Sequence, residues 1–140
     1  MAPIALHVLI VDDREDDAEL IARALRRNGF TPVCHRAESA EALQASLHAG
    51  IAWDVVLCDS VMPRLDVLRT LSLVRGANPD VPVLVVSGRH ESELREVLAS
   101  GEVSGALSKD RLADLPALVR VLLRTRSGFS GRDSDRRSPN

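Results

Sequence analysis

At 140 residues and a formal charge of −2, the chain has the length of one domain, a size that buries roughly two-thirds of the surface the unfolded chain exposes. Near-neutral charge gives no bulk attraction to nucleic acid or an anionic membrane, and no apolar stretch approaches the roughly 20 residues of a spanning helix. Asp12 and Asp13 interrupt the first apolar run too early for a signal peptide, so no membrane insertion and a cytoplasmic location are expected.

The first apolar run, Leu6 to Val11, reads as a buried strand. Glu15 to Arg27 then places Ala18, Leu20, Ile21, Ala24 and Leu25 at helical spacing, with acids in the first turn and arginines in the last, and Asn28-Gly29 stops it. Phe30 to Cys34 resumes as a strand. Pro32, which cannot donate to a ladder, puts that strand at an edge. Ser39 caps a second helix, Ala40 to Ala49, ended by Gly50. Val55 to Cys58 is a strand, Leu65 to Val74 a helix, Asn78-Pro79-Asp80 a turn and Val81 to Val86 a strand. Ser92 to Ala99 reads as a fourth helix, Gly105 to Ser108 as a weaker strand, and Arg111 to Arg124 as a fifth helix with Leu112, Leu115, Leu118, Val119, Leu122 and Leu123 facing inward. Five βα units in succession imply a parallel sheet with right-handed crossovers and helices on both faces. The domain is expected to span residues 1–125. The Gly-, Ser-, Arg- and Asp-rich segment 126–140 has little to bury and is expected to be a flexible polar tail.

Four kinds of side chain stand just after four of these strands: Asp12/Asp13, Asp59, Ser87 and Lys109. In a parallel sheet all strands point the same way, so residues that follow different strands meet along one edge, where ligands bind. Taken singly, each has a plain structural role. An acidic pair after a strand helps to start the next helix, Asp59 and Ser87-Gly88 suit turns, and Lys109 suits a solvated surface. Their convergence is predicted from the hydrophobic runs, independently of these residues. Adjacent carboxylates with a third nearby make an oxygen-rich pocket for a hard divalent cation such as Mg²⁺. A carboxylate there can also attack phosphorus. Lys109 and Ser87 would then match the charge of the acyl phosphate formed.

Cys34 and Cys58 lie inside predicted strands without CxxC spacing and read as two buried, reduced thiols. His7, His35, His48 and His90 show no metal-ligand spacing, and of these His90 lies near the proposed site.

Ile10-Val11-Asp12-Asp13, Leu57-Cys58-Asp59-Ser60-Val61-Met62-Pro63, Val85-Val86-Ser87-Gly88 and Leu107-Ser108-Lys109 together resemble the ordered signature of receiver domains of two-component response regulators, over about Leu6 to Arg124. The resemblance implies a flavodoxin-like (βα)5 fold, a doubly wound parallel sheet with the strand order 2-1-3-4-5 that is known for this group. It also implies that Asp59 accepts a phosphoryl group from the phosphohistidine of a histidine kinase or a phosphotransfer protein. Asp13, Asp59 and the backbone carbonyl of Val61 would then ligate Mg²⁺, with Asp12 acting mainly through water, while Ser87 and Lys109 contact the phosphoryl group. Output would pass by contact to a downstream protein target, with no direct nucleic-acid binding. Such a domain is a phosphoacceptor with slow self-dephosphorylation, not a classical enzyme. Lys109-Asp110-Arg111-Leu112 resembles a subgroup of receivers found alone or attached to sensory kinases, and a single-domain receiver is expected.

The sequence departs from the family pattern where the signal leaves the site. Ala106 stands where most receivers carry an aromatic or His three positions before the lysine, Asp110 follows the lysine in place of the common Pro, and Val67 replaces a usual loop glycine. Two other readings use the same groups. A pseudo-receiver would fold without turning over phosphate. A phosphatase of the haloacid-dehalogenase type calls for Asp-x-Asp on the first strand, which Asp12-Asp13-Arg14 does not supply.

Overall fold

The computed structural model describes residues 4–60, 62, 65–88, 95, 98–99, 101 and 103–125. Its strands β1 (Ile4–Val11), β2 (Phe30–Ala37), β3 (Val55–Asp59), β4 (Val83–Ser87) and β5 (Gly105–Ser108) form one parallel sheet in the order β2-β1-β3-β4-β5. Helices α1 (Glu15–Arg26), α2 (Ala40–Leu47), α3 (Val67–Ala77) and α4 (Leu115–Thr125) flank it. This is the flavodoxin-like order expected from the sequence, with β2 and its Pro32 at an edge. The expected helix from Ser92 to Ala99 falls mostly outside the described residues, within which Arg95, Leu98 and Ala99 are helical. The expected tail, 126–140, lies wholly outside them.

Alternation along the strands divides the core into two layers. Leu6, Val8 and Ile10 of β1, Val55 and Leu57 of β3, and Leu84 and Val86 of β4 face Ile21 and Leu25 of α1 and Leu115, Val119 and Leu123 of α4. Leu9, Val11, Val56, Cys58, Val83 and Val85 face the other way, onto Leu43 of α2 and Val67, Leu71 and Val74 of α3. Because β3 and β4 are buried on both faces, their sequences are continuous apolar runs. Between its buried ends, β2 alternates exposed and half-buried positions, as a half-solvated edge strand does, and its polar residues hide three of its eight residues from a search for apolar runs.

Several boundaries differ from expectation for local reasons. α3 begins at Val67 and not at Leu65, because the Asp66 carboxylate accepts the Arg69 N–H at 2.7 Å and makes Asp66 the N-cap. Ser39 caps α2 as expected, accepting the Ala42 N–H at 3.1 Å. α1 ends at Arg26, where Asn28 Nδ2 donates to the Ala24 carbonyl at 2.8 Å and Gly29 turns the chain at φ +92°. The last helix is not continuous from Arg111: a 3-10 turn, Lys109–Asp114, precedes α4. Pro116 explains the break, since it has no N–H to give a carbonyl four residues back and is tolerated only in a first helical turn. Of the two cysteines only Cys58 is buried; Cys34, on the edge strand, is half-buried.

Candidate functional site

The carboxyl ends of β1, β3, β4 and β5 bring the predicted groups to one edge. Val11 pairs with Cys58, Asp59 with Val86, and Ser87 with Ser108, so the residues ending each strand are laid side by side. Asp59 closes the central strand and shares the face of Val55 and Leu57, the side covered by α1 and α4. Asp12 is 2% exposed and Asp59 6%. The Asp12 backbone is held on both sides, its N–H donating to the Ala37 carbonyl at 3.1 Å and its carbonyl accepting from Arg36 Nη1 at 3.3 Å. Its carboxylate Oδ1 accepts the Arg14 N–H at 2.8 Å.

Lys109 reaches into this acidic edge. Its Nζ lies 3.4 Å from Asp12 Oδ2, 3.4 Å from Asp59 Oδ2 and 2.5 Å from Asp17 Oδ2. Burial alone would lower the Lys109 ammonium, but the Asp17 hydrogen bond and the charges of Asp12, Asp59 and Asp17 outweigh it and raise the group above its ordinary value. Lys109 is therefore a fixed cation. Burial pushes the Asp12 carboxyl up, against the opposing Arg14 N–H and Lys109 charge, and the neighbouring Asp59 and Asp17 push in the same direction as burial. Three carboxylates crowd one ammonium, and a hard cation would offset the repulsion among them. The oxygens of Asp12, Asp17 and Asp59 lie within 4.8 Å of one another with the Lys109 ammonium against all three, Asp17 being its shortest contact, and a hard cation would fit beside the carboxylates of Asp12 and Asp59.

Ser87, fully buried at the end of β4, accepts a hydrogen bond from Ser60 Oγ at 2.5 Å. Burial pushes the Cys58 thiol up to about 12, so the residue beside Asp59 stays a neutral thiol. Ala106, on β5, lines a surface groove of about 510 Å³ with Leu98, Leu107 and Arg111 among its walls.

Asp12, Asp59 and Lys109 thus come together, and Ser87 stands one residue beyond the position paired with Asp59. Asp13 does not join the cluster: it is exposed and is not among the three carboxylates that lie together. Val61 and His90 lie outside the described residues. Asp17 and Ser60 are not singled out by the sequence reasoning. A signal for Asp17 is present, because it lies four residues before Ile21 and eight before Leu25, on the stripe of α1 that faces the sheet. Ser60 has none beyond its place next to Asp59.

Among the described residues no helix is long and apolar enough to cross a membrane. The family described as response regulator receiver domain matches residues 8–120. The transcriptional regulatory protein PrrA of Mycobacterium tuberculosis is 33% identical over 129 residues, 91% of this chain and 54% of PrrA. The response regulator MprA of a Mycobacterium species is 34% identical over 130 residues, 92% of this chain and 55% of MprA. The chain spans about half the length of these curated relatives. The receiver domain of a Francisella response regulator superposes with a TM-score of 0.67 at 27% identity, covering 84% of this chain and 95% of that one. With a 2-1-3-4-5 sheet whose carboxyl edge gathers buried aspartates around a lysine, and with the family matched across nearly the whole fold, the chain belongs to the response regulator receiver domains of two-component systems.

Proposed function

We propose that this domain accepts a phosphoryl group on Asp59 from the phosphohistidine of a histidine kinase or phosphotransfer protein in the cytoplasm, and passes the signal on by contact with a downstream protein. The observation that carries this reading is the position of Asp59: it is buried at the end of the central strand, with Lys109 Nζ 3.4 Å from its Oδ2. In the transfer, a carboxylate oxygen of Asp59 bonds to phosphorus as the phosphorus–nitrogen bond of the donor breaks. The electron pair stays on the imidazole, which takes up a proton, and Asp59 becomes an acyl phosphate. Lys109 supplies fixed positive charge to the phosphoryl oxygens, and Ser87 a hydroxyl. Mg²⁺, when bound, neutralises charge on the transferring group and on the surrounding carboxylates. Its protein ligands in this reading are Asp59, the solvent-facing Asp13 and the Val61 carbonyl, with buried Asp12 acting through water.

Incubation with a small acyl phosphate and Mg²⁺ tests the assignment. A receiver takes up a stable label at Asp59. Repeated turnover would instead mark a phosphatase, and no uptake a folded interaction module without phosphate chemistry.

A further inference from the structure

Lys109, the cation that the phosphoryl group would recruit, makes its shortest contact with a residue outside the four strand ends. The Asp17 contact is 2.5 Å, against 3.4 Å to Asp59 and to Asp12. Asp17 is in the first turn of α1, and Lys109 begins the 3-10 turn that follows β5, so this one ion pair ties two elements together across 92 residues of sequence. The side chains are 18% and 21% exposed, so solvent and salt screen them less than a surface pair. The same oxygen, Asp17 Oδ2, also lies 3.5 Å from Nε of the largely exposed Arg14. Asp17 therefore keeps a cation even when Lys109 leaves.

We propose that Asp17 is a latch: it holds Lys109 against α1 in the unmodified protein, and phosphorylation of Asp59 draws the ammonium away and hands Asp17 to Arg14. The proposal rests on the receiver reading above and adds the route by which the modified site reports outward. An ammonium shared among three carboxylates moves toward the one whose charge grows, and a phosphoryl group adds charge and acceptor oxygens at Asp59. A ligand shifts a conformational equilibrium only through contacts that differ between the two states. Ala106 is too small to bury a ring and relay the change through β5. The Lys109–Asp17 contact does differ between the states, and its far end is α1. Asp17 also opposes modification in two ways, by occupying Lys109 and by adding negative charge beside an incoming anionic donor. It is a positioning residue that acts through Lys109.

Asp17→Asn keeps the shape and removes the charge, and a melting curve checks that the variant is folded. With acetyl phosphate and Mg²⁺, the variant is expected to take label on Asp59 roughly tenfold faster than the parent, the equivalent of about 1.4 kcal/mol. Its half-saturation for Mg²⁺, read from the melting temperature, is expected to stay within about twofold, since losing a charge-assisted latch does not remove a cation ligand. Amide and Arg14 Nε resonances supply a readout that a purely structural role would not move. Beryllofluoride, a phosphoryl mimic, should shift Arg14 Nε and the Ala18 amide in the parent. In Asp17→Asn without the mimic, the Lys109 and Asp110 amides should already lie close to their positions in the beryllofluoride-bound parent. Labelling no faster than the parent, or silence at Arg14 and Ala18, overturns the latch while leaving the receiver reading intact. A Mg²⁺ half-saturation weakened several-fold overturns it in favour of Asp17 as a cation ligand. A parent that takes no label overturns the receiver reading and the latch with it.

Discussion

Near the amino end of the sheet, Asp54 is 1% exposed; its Oδ2 accepts the His7 N–H at 2.8 Å, and its own N–H donates to the His7 carbonyl at 2.9 Å. At the carboxyl end, Asp12 and Asp59 are also buried, and they and Asp17 all contact the ammonium of Lys109. One buried carboxylate takes the N–H of a β1 residue and helps to hold the start of β3 against β1. The others are three carboxylates gathered around one ammonium, so like charges crowd one edge. Burial of an acid therefore does not mark a reactive site; the balance of charge around it does.

The widest separation of the two ends comes from replacing one acid at each. Asp59→Asn is expected to abolish phosphoryl uptake completely with the melting temperature preserved, as read by acyl-phosphate labelling beside a thermal melt. Uptake at the parent rate would remove Asp59 as the acceptor. Mg²⁺ should act on the carboxyl end alone, stabilising the parent by about 2.7 kcal/mol at a hundredfold excess over its dissociation constant. Thermal melts should show this rise reduced more by Asp13→Ala than by Asp12→Ala, and the reverse order would make Asp12 the direct ligand.

Asp54→Ala should do the opposite of Asp59→Asn. Stripping the acceptor from a part-buried N–H costs about 1 kcal/mol, the low end of the range for a buried donor, so chemical denaturation should show a lower midpoint while Asp59 still takes label in the folded protein. A variant as stable as the parent would mean that Asp54 does not pin the strands. The smallest effect is expected along β5. With Ala106 in place of a ring, amide shifts induced by beryllofluoride over Gly105 to Leu107 should stay below those at Ser87 and Gly88, and equal shifts would show that β5 carries the signal after all.

The strands are legible in the sequence because a parallel sheet covered on both faces writes itself as apolar runs, and the strand ends then locate Asp59, Ser87 and Lys109. β2 reads short because an edge strand alternates. The 3-10 turn before α4 escapes notice although Pro116 signals it, because the apolar spacing from Leu112 onward is helical throughout. Read strand by strand, the acids of α1 are helix-dipole partners, which they also are, and Asp17 is passed over. Asp13 is the converse: adjacency to Asp12 in sequence does not bring it into the cluster, because consecutive residues at a strand end need not share a face.

The Lys109–Asp12 contact joins residues 97 apart in sequence, and every other part of the site depends on pairing between parallel strands that no hairpin can connect. Such non-local pairing is slow to form, because loop-closure entropy must be overcome before any contact rewards it. None of the proposed phosphoacceptor chemistry would then be available to a half-folded chain. On the proposed reading, a nascent or misfolded copy would neither take up phosphoryl groups nor report a false signal, and the time taken to acquire label after refolding would measure the closing of the sheet itself.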